Sequence, residues 1–242
     1  MLNILGAYYN TGYMNYWDPT YILVIIGAVI SLIASAKVKT TFAKYSKVRS
    51  KARMTGAEAA KRILNASGIY GVRIERVAGS LTDHYDPRDK VLRLSDAVYG
   101  DTSVAAIGVA AHECGHAIQD EKGYAPLVLR STLVPAANFG SKAAWPLIIL
   151  GVVMGSLQPL IFIGILMFSI SVLFTLVTLP VEFNASRRAI AVLGDTDILN
   201  REELKGTEKV LTAAALTYVA SAAAAILSLL RLILIFGGRD RD

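Results

Sequence analysis

Ala111-His112-Glu113-Cys114-Gly115-His116 closes an apolar run, Val104 to Ala111, that reads as a helix. Residues four apart on a helix share one face, so His112 and His116 point the same way and Glu113 lies close beside them. Two imidazoles at that spacing can grip one metal ion. Zinc takes nitrogen donors of this kind and, in catalytic sites, keeps one position for water. The metal lowers the pKa of that water, and a neighbouring carboxylate can take its proton. His112 and His116 are thus candidate ligands, and Glu113 a candidate base. The chain has only three histidines, and two of them fall in this hexapeptide.

His-Glu-x-x-His is the zincin motif of metalloproteases. Its helix has only eight apolar residues before His112, and Asp120, Glu121 and Lys122 follow. A membrane span needs about 20. The motif helix is therefore expected beside a membrane rather than across it. Cys114 is the single cysteine, which excludes an intrachain disulfide framework. It falls on the side of the helix away from His112 and reads as a small packing residue.

The 242 residues are 54% hydrophobic and 18% charged, too apolar for an ordinary soluble domain. The net charge of +6 could suggest a nucleic-acid partner. The basic residues, however, crowd beside an apolar span, and contact with a lipid bilayer explains them better. Residues 1–20 form an external segment carrying one acid and no Lys or Arg, with interfacial aromatics Tyr8, Tyr9, Tyr13, Tyr16 and Trp17. No removed signal peptide is expected there. Residues 21–36 form the first span. Lys37, Lys39, Lys44, Lys47, Arg49, Lys51 and Arg53 follow without one acid, which places this end in the cytoplasm.

Residues 37–140 form the catalytic part. Thr55 and Glu58 offer a capping box for a helix that Gly68 ends. Val72 to Val77 and Lys90 to Leu94 alternate apolar and charged residues, as strands do, with turn chemistry at Asp86 to Asp89. Asp101, Thr102 or Ser103 would cap the motif helix. Leu127 to Asn138 suggests an amphipathic helix bent near Pro135. Residues 143–157 and 160–179 form a hairpin of two spans, with Gln158-Pro159 as the turn. Residues 180–210 are a cytoplasmic helix or loop, residues 211–236 a fourth span, and residues 237–242 an external tail. Arg231, near the end of the fourth span, is expected to snorkel outward. The fold class is a mainly α membrane protein: four transmembrane helices and a small cytoplasmic α+β zincin-like catalytic domain.

Two imidazoles hold zinc poorly without another protein donor. Glu182 is the preferred third ligand, because the hairpin returns it to the face where the histidines wait. Rivals are His84, Asp83, Asp86, Glu202 and Glu203. Ser186, one turn past Glu182, could hydrogen-bond a ligand. Arg187 or Arg188 could stabilise an oxyanion, though a positive anchor at the membrane is the preferred reading.

Several stretches together resemble the bacterial membrane neutral zinc metallopeptidases of the YugP type. They are Asp83-His84-Tyr85-Asp86-Pro87-Arg88, Leu92-Arg93-Leu94-Ser95, Ala111 to Gln119, and Val181 to Arg188. The resemblance covers roughly residues 50–230. More remotely, the chain is similar to the HtpX-like and prenyl-protein-processing membrane endopeptidases. The resemblance implies one zinc ion on His112, His116 and Glu182, with Glu113 as base. Ser186 stands where the remote relatives carry Asp. It also implies that a strand edge, here Lys90 to Leu94, holds the substrate extended. The expected substrate is a polypeptide at the cytoplasmic membrane face, from a membrane or misfolded protein, and a homo-oligomer or a scaffold partner is left open. Two other classes were weighed: a site-2-type intramembrane protease, for which Leu193-Gly194-Asp195 is the nearest match to its Leu-Asp-Gly, and a zinc-binding scaffold that cleaves nothing.

Overall fold

The computed structural model describes residues 18–237. The aromatics before Asp18 and the end of the tail lie outside the described residues. The elements run α1 (Tyr21–Tyr45), α2 (Gly56–Ala66), β1 (Arg73–Val77), β2 (His84–Asp86), β3 (Val91–Ser95), α3 (Asp96–Tyr99), α4 (Val104–Glu121), α5 (Ala125–Val153), α6 (Gln158–Asp195) and α7 (Arg201–Phe236). Four of these, α1, α5, α6 and α7, are long and apolar enough to cross a membrane. Their outer faces leave large side chains such as Leu32, Ile33, Val153 and Phe162 exposed. Such surface is stable against lipid and not against water.

Local chemistry explains the shorter elements. The Thr55 hydroxyl accepts from Glu58 N at 3.2 Å, and Glu58 accepts from Thr55 N at 2.8 Å, which closes the capping box of α2. Gly68, at φ +73°, turns the chain out of α2 in a left-handed conformation that glycine adopts without strain. Ser103 is the cap of α4, accepting from Ala106 N at 3.2 Å. A second capping box, Asn200 with Glu203, starts α7.

The sheet order is β1-β3-β2, with β1 and β3 parallel and β2 and β3 antiparallel. The β2–β3 turn is the expected one, held by Asp86, whose carboxylate accepts from Arg88 N at 2.9 Å. Lys90 to Leu94 does not supply a strand edge: β3 is hydrogen-bonded on both sides. The open edge beside α4 belongs to β2, a three-residue strand too short to show an alternating pattern.

The long helices run past the spans that hydropathy marked. α5 is one helix with Pro135 and Pro146 inside it. Gln158 and Pro159 form the first turn of α6 rather than the connection, because proline suits a helix start, where its missing N–H costs nothing. The reversal falls at Met154 to Leu157, with Gly155 at φ +76°. α6 continues through Pro180 to Asp195, so Glu182 lies inside a helix and not at its start.

α4 is the hub. Ala106, Ile107, Ala110, Ala111, Cys114, Ala117 and Ile118 pack with Ile63 of α2, Leu92 and Leu94 of β3, Ala189 and Leu193 of α6, and Leu211 of α7 in one core. The start of α4 is tied to the segment after α1 by Ser50 N to Thr102 O at 2.9 Å and Val104 N to Val48 O at 2.8 Å. Glu203 of α7 joins the same junction, accepting from Lys51 N at 2.7 Å.

Candidate metal centre

The site forms where α4 crosses α6. Gly115 decides how closely they cross: a Cβ there would collide with the backbone carbonyl of Ala185. Because that Cβ is missing, α6 lies directly on the motif, and Glu182, one turn before Ala185, reaches the histidines. Its Oε2 is 3.2 Å from His112 Nε2 and 3.6 Å from His116 Nε2. The three donor atoms all lie within 4.8 Å of one another. A tetrahedral zinc ion with bonds of about 2.1 Å sets its donors roughly 3.4 Å apart. The carboxylate–imidazole spacing matches that edge, and the donor types suit zinc, so the residues fit the ion.

The outer ring nitrogens are engaged elsewhere. Gln119 donates from its amide to Val181 O at 2.8 Å and to Asn184 Oδ1 at 3.0 Å. Its carbonyl oxygen therefore faces His116 Nδ1, at 3.0 Å, and accepts a proton from it. That tautomer leaves a lone pair on Nε2, where a metal needs it. Ser186 Oγ lies 3.1 Å from His112 Nδ1 and sets that ring in the same sense. Arg188 donates to Asn184 Oδ1 at 2.7 Å and so extends the Gln119 network.

Electrostatics favour a positive guest. Burial alone would lower the His116 pKa, but the facing Glu182 and Glu113 carboxylates outweigh it and raise the pKa above its usual value, so the pocket favours a positive charge beside Nε2. Cys114 is a different case. Its thiol points at α2, 3.6 Å from Ala60 O, and burial pushes its pKa well up, which leaves it inert.

A cleft of about 350 Å³ opens over the three donors and Glu113. One wall is the open edge of β2 with its flanks, Asp83 to Arg88; the other is Leu127, Arg130 and Ser131 of α5 and Tyr218 of α7. Arg130 reaches Glu182 Oε1 at 3.5 Å, on the side away from the histidines. Tyr218 brings its hydroxyl near Glu182 and Glu113.

The rival ligands are placed as follows. Asp83 accepts from Ser95 N at 2.7 Å and Ser95 Oγ at 2.9 Å. Asp86 holds its turn and Arg93. His84 is exposed on the cleft wall, its Nδ1 2.9 Å from Thr82 O. Glu202 and Glu203 belong to the first turn of α7. Neither Arg187 nor Arg188 lines the cleft, so the alternative oxyanion role falls away for both; the cation in its α5 wall is Arg130, which no motif in the sequence marks, nor Tyr218 beside it. Asp195 lies thirteen residues beyond Glu182 on α6, about 20 Å along the helix axis. That is too far for the site-2-type ligand pattern.

The family described as "Putative neutral zinc metallopeptidase" matches residues 20–237. The chain belongs to this family. One curated relative is the "Putative membrane protease YugP" of Bacillus subtilis (strain 168). That protein is 49% identical over 224 residues, covering 92% of this chain and 99% of the relative. No solved structure matches the chain.

Proposed function

We propose that this family member is a membrane-anchored endopeptidase in which His112, His116 and Glu182 hold one zinc ion and Glu113 is the general base. The observation that carries the reading is the convergence of three electron-pair donors within 4.8 Å, the Glu182 oxygen 3.2 and 3.6 Å from the two imidazole nitrogens, beside the Glu113 carboxylate in an open cleft. A zinc ion held there supplies Lewis-acid polarisation of a carbonyl and lowers the pKa of a water. Glu113 takes the proton from that water and returns it to the departing amine. Gln119 and Ser186 hold the two imidazoles in the ligating tautomer. Arg130 pairs with Glu182 Oε1 at 3.5 Å and so favours turning the other oxygen to the histidines. Tyr218 offers an O–H donor to the oxygen that gains charge as the carbonyl is attacked.

The substrate is a polypeptide lying extended along the free edge of β2, where backbone hydrogen bonds add it as a further strand. The basic run from Lys37 to Arg53 leads directly into the elements that build the cleft, which supports a site on the cytoplasmic face. The test uses purified full-length protein with casein as an unfolded substrate, with and without chelator, and metal analysis alongside. Wild type carries one zinc per chain and cleaves only without chelator. Glu113→Gln keeps the zinc and loses at least about a thousandfold in rate. Glu182→Ala loses stoichiometric zinc. Cleavage by Glu113→Gln at the wild-type rate would falsify the base assignment, and zinc binding with no cleavage of any peptide points to a scaffold.

A further inference from the structure

The His112–Glu113 pair has a second cavity on its other side. It measures about 150 Å³ and shares Asp83, His112, Glu113 and Tyr218 with the open cleft. The catalytic pair thus borders two spaces, a larger one with charged groups in its walls and a smaller one lined mostly by apolar side chains. The open cleft is walled by His84, Asp86, Arg88 and Arg130. The smaller one is walled by Val38 and Phe42 of α1, Val109 of α4, Val210 and Ala214 of α7, and Leu81. Of its two acids, Glu113 belongs to the catalytic pair, and Asp83 has both oxygens bound by Ser95. Leu81 stands 47% exposed at this cavity, on a backbone of φ +60° that a bulky residue adopts only when its surroundings impose it.

We propose that this cavity seats one large apolar side chain of the substrate, next to the bond that is cut. The inference rests on the peptidase reading and deepens it by naming a substrate class. A cavity of about 150 Å³ with Leu, Ile and Phe walls takes a six-membered ring, so this one takes a single leucine, isoleucine, methionine or phenylalanine. Its depth adds a second constraint. Val38 and Phe42 come just after the apolar run of α1 ends at Ala36, and Val210 to Ala214 stand where the apolar run of α7 begins. The cavity therefore sits at the level where the helices leave the bilayer, on the membrane side of the catalytic pair, with the polar cleft beyond. A polypeptide passing from one to the other carries an apolar residue at the membrane boundary and polar chain past the cut. That describes the juxtamembrane segment of a membrane protein better than a soluble loop.

The test reads binding as well as cleavage. Full-length Glu113→Gln protein in lipid nanodiscs, loaded with zinc, is irradiated with Ala/Ser decapeptides, each carrying one photo-leucine at a different position. Cross-links at one peptide position to Val38, Val109 or Ala214 are expected, with competition by Leu- and Phe-containing peptides at least about tenfold better than by their Ala counterpart. Ala214→Phe, which fills the cavity, removes that preference while zinc content and thermal midpoint stay at their Glu113→Gln values. Val38→Trp, on the α1 wall, does the same and stands in if Ala214→Phe does not fold. Cross-links confined to other surfaces, no cross-link at all, or a Leu-over-Ala preference that survives both filled variants overturns the proposal. Casein cleavage by wild type is scored separately: if it fails while the cross-links hold, the peptidase reading falls and the apolar seat remains.

Discussion

Two polar clusters lie among the long helices, and they are built on opposite plans. At one end, Arg231 of α7 meets Asp18 at 3.1 Å and lies over the Tyr21 ring at 4.0 Å. A cation, an anion and an aromatic face close that cluster on themselves. At the other end, His112, His116 and Glu182 bring three electron-pair donors together, with a second carboxylate, Glu113, beside them. Arg130 compensates one oxygen of Glu182 from its far side. The first cluster is complete as protein. The second, on the function proposed above, is completed by a cation, and its hydrogen bonds aim the donors. A polar cluster that ties helices together and one that does chemistry are distinguished by this surplus of donors, not by burial.

The sharpest way to break the site cluster without touching a donor is Gly115→Val. A branched side chain there drives α6 off α4, and Glu182 moves with it. Zinc at one per chain is expected to fall below detection in metal analysis, together with all cleavage, while the far cluster keeps α1 against α7. Retained zinc would mean that the close crossing does not set the ligand geometry. A smaller effect is expected from Gln119→Leu, which keeps the volume and removes both the acceptor for His116 Nδ1 and the tie to Val181 O. Loss of such an orienting partner typically weakens metal binding 10–100-fold. Competition titration with a chromophoric chelator measures it, and Gln119→Glu, which restores the acceptor, should recover much of the loss.

What could be read in the sequence was what helix period and hydropathy encode. His112, Glu113 and His116 share a face by spacing alone, the Thr55–Glu58 box is a local pattern, and the apolar stretches of α1, α6 and α7 declare themselves. Glu182 was legible because the two-span hairpin leaves few places for the chain to go. Where tertiary neighbours decide, the reading failed. Alternation marks Lys90 to Leu94 as a strand but cannot say that β1 and β2 cover both its edges. Pro180 stands where hydropathy ends a span, yet α6, packed against its neighbours, runs through it. Gln158-Pro159 carries turn-like composition that serves a helix start equally well. Arg130 and Tyr218 reach the cleft from α5 and α7, and no local pattern connects either residue to a motif on α4. Arg231 reads as a snorkelling residue until Asp18, 213 positions away, is seen to meet it.

That last pair gives the mildest prediction and the clearest test of the comparison. Arg231 is 15% exposed and its Nε finds no partner among the described residues, whereas Asp18 is 35% exposed and also accepts from Thr20 N at 2.9 Å. A charge at this depth is tolerated because it is paired. Removing Arg231 leaves an acid that water and Thr20 still solvate in part, so the loss lies well below that of a fully buried broken pair. Arg231→Met should cost about 1–2 kcal/mol, the worth of a partly exposed ion pair together with the cation–π contact over Tyr21. It is read as a lower thermal midpoint in detergent. Asp18→Asn added to Arg231→Met should cost no more than Arg231→Met alone, since replacing both members of a buried pair is gentler than stranding one. Zinc content and chelator titration should stay at wild-type values in both proteins. If Arg231→Met lost its zinc, the two clusters would be one coupled unit spanning α7, and the division drawn here between a closing pair and a donor-rich site would be wrong.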